Sequence, residues 1–286
     1  TGYPLGESIQ EWSKKAAINI DGPEYNALSR IAQENNIFLS GNAYERDSKF
    51  PGLYFQTSFI ISSSGDLILR YRRLISLYAP TPHDVWDRYL EAYGYEAVFP
   101  VANTEIGKLA CCASEEILYP EICRAHTLRG AEVILHSSSE VASNDSTPKD
   151  ISKRARAIEN ITYVISCNSG GIKNSPIPMN SVDGMSKIID FRGNVIASSC
   201  IGETMVSNAE IDLLALRRYR NRPGMSNILS RQRLELFSET YNLKSIYPAN
   251  TLLDKKTGDF FIPERKHFSE TQKKVIDTLA KKNLNS

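Results

Sequence analysis

Short apolar runs bounded by turn residues recur through the first 212 positions, and segments with helical periodicity fill the gaps between them. Residues 37–44 (IFLSGNAY) and 53–61 (LYFQTSFII) are rich in β-branched and aromatic side chains and read as strands. Ser64-Gly65-Asp66 joins the second run to a third at 67–71, which predicts a hairpin. Further strands are predicted at 107–113, 132–137, 162–168, 186–191, 195–198 and 205–211, with the turn Phe191-Arg192-Gly193-Asn194 forming a second hairpin. Helices are predicted at 23–33, where Ala27, Leu28, Ile31 and Ala32 share a face, and at 120–129, ahead of Gly130. A third opens at Thr147-Pro148-Lys149-Asp150, with an N-cap hydroxyl, a proline at the first helical position and an acid in the first turn. Its apolar positions Ile151, Ala155 and Ile158 have near-helical spacing. Ser269-Glu270-Thr271-Gln272 fits a capping box for a terminal amphipathic helix over 269–282.

No internal repeat or low-complexity linker divides this pattern. It predicts one mixed α/β domain over residues 1–213 and a C-terminal extension over 214–286. With 41% hydrophobic and 23% charged residues, the 286-residue chain has globular composition, which excludes a disordered one. Lys+Arg 34 against Asp+Glu 33 leaves a formal charge of +1, so no global field draws nucleic acid or an anionic membrane. No run approaches the ~18–20 apolar residues of a membrane span, and TGYPLGESIQEW has neither the basic start nor the apolar core of a secretory signal. The five cysteines have no metal-ligand spacing and sit in apolar settings. They read as reduced, buried thiols of a cytoplasmic protein that needs neither metal nor cofactor.

Chemistry concentrates between Gly107 and Glu140. The apolar strand GKLACCA breaks abruptly into Ser114-Glu115-Glu116, and a helix follows from about Pro120. A polar side chain at such a turn is pushed out of the sheet toward a ligand, and the turn's free backbone N–H groups offer an oxyanion site. The alternative role is structural: Ser114 caps the helix and the glutamates complement its dipole.

Four groups of residues resemble the nitrilase (carbon–nitrogen hydrolase) superfamily. They are Pro120-Glu121 with Arg124 and Gly130-Ala131; Arg154 to Asn160 (RARAIEN) followed by Tyr163-Val164 and Asn168-Ser169-Gly170-Gly171; Gly184-Met185-Ser186 with Asp190 to Gly193 and Ala209 to Asp212; and Ser64-Gly65 with Leu69 to Arg73. The resemblance covers nearly the whole chain to about Asp212. It implies a four-layer α-β-β-α sandwich that pairs through its helices, with a C-terminal segment crossing to the partner subunit. The arginines between Arg217 and Arg233 would then clamp subunit carboxylates. They have few interleaved aromatics, which argues against nucleic acid.

The same resemblance implies a Glu-Lys-Cys triad, from which this chain departs. Six residues before Pro120, and seven after Gly107, the cysteine position is Ser114. The lysine position is Arg73, and the glutamate position falls before Thr1. A thiol yields its thiolate readily beside a base, whereas a serine hydroxyl needs much stronger activation. Arginine keeps the positive charge on a longer planar fork suited to carboxylates. Two readings follow. In one, thiol hydrolysis is lost and a small amide, carbamoyl or carboxylate ligand binds beside Arg73, Ser114 and Glu116. In the other, Ser114 replaces the cysteine in amide, carbamoyl or nitrile hydrolysis, with Arg73 steadying the oxyanion. Glu115, Glu116, Asp84, Glu140, His136 and Trp86 are the further candidates for the pocket. Asp84 would serve as a second carboxylate and Glu140 as a substitute base. Cys112, two residues before Ser114 on the same strand face, is the alternative thiol.

Overall fold

In the computed structural model, which describes residues 6–139, 147–170, 184–199, 204–242 and 246–281, the alternating apolar runs pair into two sheets. Helices α1 (Ile9–Ala16) and α2 (Pro23–Asn35) precede strands β1 (Leu39–Arg46), β2 (Tyr54–Ile61) and β3 (Leu67–Arg72), which form an antiparallel sheet in that order. Helix α3 (Trp86–Tyr93) leads to β4 (Ala102–Thr104) and β5 (Gly107–Ala113), followed by α4 (Pro120–Leu128), β6 (Val133–Ser138), α5 (Pro148–Asn160) and β7 (Tyr163–Asn168). Strands β8 (Lys187–Ile189) and β9 (Val195–Ser198) complete a second sheet whose order follows the chain. Its centre, β5-β6-β7, is parallel because α4 and α5 carry the crossovers, and its flanking pairs are antiparallel. Helices α6 (Leu213–Asn221), α7 (Glu235–Asn242) and α8 (Lys266–Lys281) follow.

The sheets pack face to face. Ile60 and Leu69 of the first share a core with Leu109, Cys111 and Val133 of the second. Helix α2 covers the far side of the first sheet, packing Tyr25 and Ala32 against Phe59 and Ile61. Ile122 and Cys123 of α4 and Ala157 of α5 join the core on the second sheet's side. The layers therefore run α-β-β-α, as expected.

Three local expectations change. In α5 the apolar stripe is outside: Ile151 is 63% and Ile158 47% exposed, while Lys153, Arg156, Ala157 and Asn160 are buried. The polar face turns inward because Arg156 bonds to main-chain carbonyls beneath it. Nε donates to Ile117 O (2.9 Å) and Nη2 to Leu118 O (3.1 Å). The described part of the expected 205–211 strand forms no ladder, and Val206 is exposed; without a neighbouring strand the segment stays extended and unpaired. Helix α8 starts at Lys266, ahead of the expected capping box, so Ser269 lies within its first turn and donates to Lys266 O.

Residues after 213 also pack on their own chain. Leu216 is fully buried in the main core, Leu252 lies beside Phe50 and Val85, and Phe268 beside Ile9 and Trp12. Of the arginine-rich stretch, Arg217 grips Glu132 through two nitrogens at 2.6 and 2.9 Å. Arg220 donates to the carbonyls of Ile161 (2.9 Å) and Ala131 (2.8 Å), at the two crossover ends that precede β7 and β6. Removing Arg220 leaves those acceptors without a charged donor. Arg220→Ala is expected to lower unfolding stability by about 2 kcal/mol in urea titration; a loss below about 0.5 kcal/mol would mean that α6 does not pin these crossovers.

Candidate active site

Strand β5 ends at Ala113, and the chain leaves the sheet through Ser114 at φ 52°, a left-handed conformation uncommon for any residue with a Cβ. A 3₁₀ turn over Ser114–Leu118 then leads into α4 at Pro120. Three buried side chains hold this elbow. Arg156 caps the turn's carbonyls as described above. The other two are His136 and Glu116.

His136 lies on β6, opposite Cys112 of β5 and Ser166 of β7. Its Nε2 is 2.8 Å from Ser114 O and its Nδ1 is 2.9 Å from Ser166 Oγ. A carbonyl only accepts, so the proton is on Nε2, and Nδ1 accepts from the Ser166 hydroxyl. Burial pushes the His136 pKa down to about 3, aided by the charges of Lys153 and Lys149 and opposed by the bond to Ser114. The ring is neutral, and its Nε2 proton is donated to the serine's main chain.

Glu116 is fully buried. Its Oε1 accepts from the Tyr71 hydroxyl (2.9 Å), Leu74 N (2.7 Å) and Ile75 N (3.2 Å), and its Oε2 from Ala113 N (3.1 Å). Burial raises its pKa to about 7, against the pull of Arg73 and these donors. This one carboxylate ties the elbow to the segment that carries Arg73.

Arg73 follows β3 and is 9% exposed. Its Nε donates to Ile75 O (2.6 Å), its Nη1 to Gln56 Oε1 (2.6 Å), and its Nη2 pairs with Glu115. Gln56 is itself oriented, since its amide nitrogen donates to Asn42 Oδ1 at 3.0 Å.

Arg73, Ser114, Glu115, Glu116 and His136 thus lie in one connected cluster. Asp84 and Trp86 engage other partners. Asp84 is buried and accepts from Thr81 N (3.0 Å), Thr81 Oγ1 (2.7 Å) and Thr251 Oγ1 (2.5 Å), which fastens the 81–84 turn to the C-terminal segment. Trp86 opens α3 and packs against the Phe50–Val85 cluster, its ring 6.0 Å from that of His83. Glu140 lies outside the described residues. Cys112 is fully buried, and burial and the neighbouring Cys123 push its pKa well up; burial takes Cys111 to about 12. Tyr71, Gln56 and Arg156 belong to the site although their residue types gave no chemical signal. Only the position of Arg156 within RARAIEN, and of Tyr71 beside Arg73, pointed to them.

A carbon-nitrogen hydrolase family model matches residues 1–221, and the chain belongs to that family. It is 28% identical over 218 residues to the nitrilase and fragile histidine triad fusion protein NitFhit of Caenorhabditis elegans, covering 75% of this chain and 48% of that protein. The chain thus spans about half that relative's length. Among solved structures, a carbon-nitrogen hydrolase from Helicobacter pylori G27 shares the fold with TM-score 0.60 and 21% identity, covering 81% of this chain and 77% of that one. An amidase from Nesterenkonia sp. AN1 shares it with TM-score 0.57 and 20% identity over 76% of this chain and 72% of that one. That structure shows the acetamide moiety of fluoroacetamide added covalently at the amidase's active-site cysteine. Among the described residues no helix is long and apolar enough to cross a membrane.

The neutral His136 links the site to pH. A histidine in the unfolded chain titrates near 6.5, and His136 in the fold at about 3, so the unfolded state binds more protons between those values. Stability is therefore complete above about pH 6.5 and falls as pH drops through this window. His126, buried with a pKa also near 3, acts in the same direction. His136→Asn is expected to make the fall in Tm between pH 6.5 and 4.5 shallower by roughly half. An unchanged slope in circular-dichroism melts would contradict a buried, neutral His136.

Proposed function

We propose that this protein keeps the ligand pocket of the carbon–nitrogen hydrolases without their thiol hydrolysis, and that it binds a small polar ligand carrying a carboxylate beside Arg73. One observation carries the reading: the residue at the thiol position is Ser114, and the neighbouring imidazole donates its Nε2 proton to that serine's own carbonyl. A serine hydroxyl becomes a nucleophile only when a base accepts its proton. His136 Nδ1 already accepts from Ser166, Glu116 accepts four donors, and Glu115 is paired with Arg73. Cys111 and Cys112 are buried thiols with raised pKa values, the opposite of the low-pKa setting a reactive thiolate needs.

The guanidinium supports a carboxylate ligand. It keeps its charge at every physiological pH and offers two parallel donors that match a carboxylate's geometry. The small amide captured by the Nesterenkonia amidase supports a ligand of similar size. Exposed Ile151 and Ile158, an apolar stripe on the surface of α5, support self-association as part of this reading.

The direct test is ammonia release from a panel of small amides, carbamoyl compounds and nitriles, with Ser114→Ala run in parallel. The expected result is no release above the uncatalysed rate by either protein. Release that disappears in Ser114→Ala would overturn the proposal and make Ser114 the nucleophile of a working hydrolase.

A further inference from the structure

The Arg73–Glu115 pair is built asymmetrically. On one side the guanidinium is fixed by neutral acceptors from the body of the fold, the Ile75 carbonyl and the Gln56 amide oxygen, and Gln56 is held in turn by Asn42. On the other side its only charged partner is Glu115, whose side chain is 31% exposed and sits on the 3₁₀ turn after Ser114. Arginine has five N–H donors, and these contacts engage three, which leaves one each on Nη1 and Nη2. Glu115 Oε2 has no hydrogen-bond partner among the described residues. The pair therefore presents unused donors beside an unused acceptor.

Charge decides what fits such a pair. A bare carboxylate on Arg73 would leave Glu115 without its counter-charge and place two carboxylates around one guanidinium, with buried Glu116 close behind. Like charges at this range are costly in a partly desolvated site. A ligand with both a carboxylate and an ammonium or amide N–H group avoids the conflict. Its carboxylate bonds to Arg73, its N–H group bonds to Glu115, and the cluster's net charge is unchanged.

We infer that Glu115 is a specificity-determining residue that selects ligands carrying an N–H donor next to their carboxylate, by serving as the resident anion on Arg73 until the ligand takes its place. This inference rests on the carboxylate-binding reading above and deepens it by naming the ligand's second group. The covalent structure of the ligand is unchanged in the exchange; only ionic and hydrogen-bond partners switch.

The test is isothermal titration calorimetry with matched pairs that differ only in the ammonium group: glycine against acetate, β-alanine against propionate, and 4-aminobutyrate against butyrate. The full chain is expected to bind at least one amino-bearing member tenfold or more tighter than its plain carboxylate. Glu115→Gln should abolish that preference, with the plain carboxylate gaining and the amino-bearing partner losing affinity. Arg73→Gln should lose both, and Arg73→Lys, which retains the charge, should restore part of the binding; circular dichroism confirms that each variant is folded. Equal binding of both members by the full chain, unaltered in Glu115→Gln but lost in Arg73→Gln, would overturn the role of Glu115 and leave the carboxylate reading standing. Binding of neither member by the full chain or Glu115→Gln would overturn the carboxylate reading itself.

Discussion

A buried carboxylate holds this site together. Glu116 accepts from Ala113 N at the end of β5 and from Leu74 N and Ile75 N just beyond Arg73, so a single side chain fixes the distance between the elbow and the cation. Magnitudes show why this matters. A left-handed residue with a Cβ costs about 1–3 kcal/mol, and each buried N–H left unpaired costs about 1–3 kcal/mol. Three backbone donors and the Tyr71 hydroxyl all end on Glu116, so their combined demand exceeds the strain at Ser114. The elbow keeps its shape because relaxing it would orphan those donors.

The geometry that exposes a nucleophile is thus intact, while the groups that would activate one are otherwise engaged. His136 adjoins Ser114 but faces its carbonyl, and the parallel register of β5, β6 and β7 sets that orientation by aligning Cys112, His136 and Ser166 across the sheet. Arg156 satisfies the turn's carbonyls from below. Support of the elbow and activation of a serine are separable properties, and this chain retains the first. The Arg73–Glu115 pair then leaves the site with a balanced charge that suits recognition of a small ligand with groups of both signs.

Much of the fold was legible because strand period and turn residues are local signals. The 107–113 and 195–198 strands appear with the expected bounds, as does the start of α5, where Thr147 caps through its bond from Asp150 N. The misreadings came from long-range demands. Periodicity placed Ile151 and Ile158 in the core, but the carbonyls of Ile117 and Leu118 draw Arg156 inward and rotate the apolar stripe outward. The site divides in the same way. Arg73, Ser114, Glu116 and His136 could be placed by motif spacing and strand order. The pairing of Glu115 with Arg73 and the tautomer of His136 depend on atoms brought together by folding, and no local pattern encodes them.

The claim that Ser114 occupies a nucleophile's position without a base is tested most directly by its reactivity. A fluorophosphonate probe phosphonylates activated serines and spares unactivated ones, and intact-protein and peptide mass spectrometry would locate any adduct. The account gives an unmodified Ser114 after prolonged exposure at neutral pH. A stoichiometric adduct on Ser114, absent from Ser114→Ala, would contradict it.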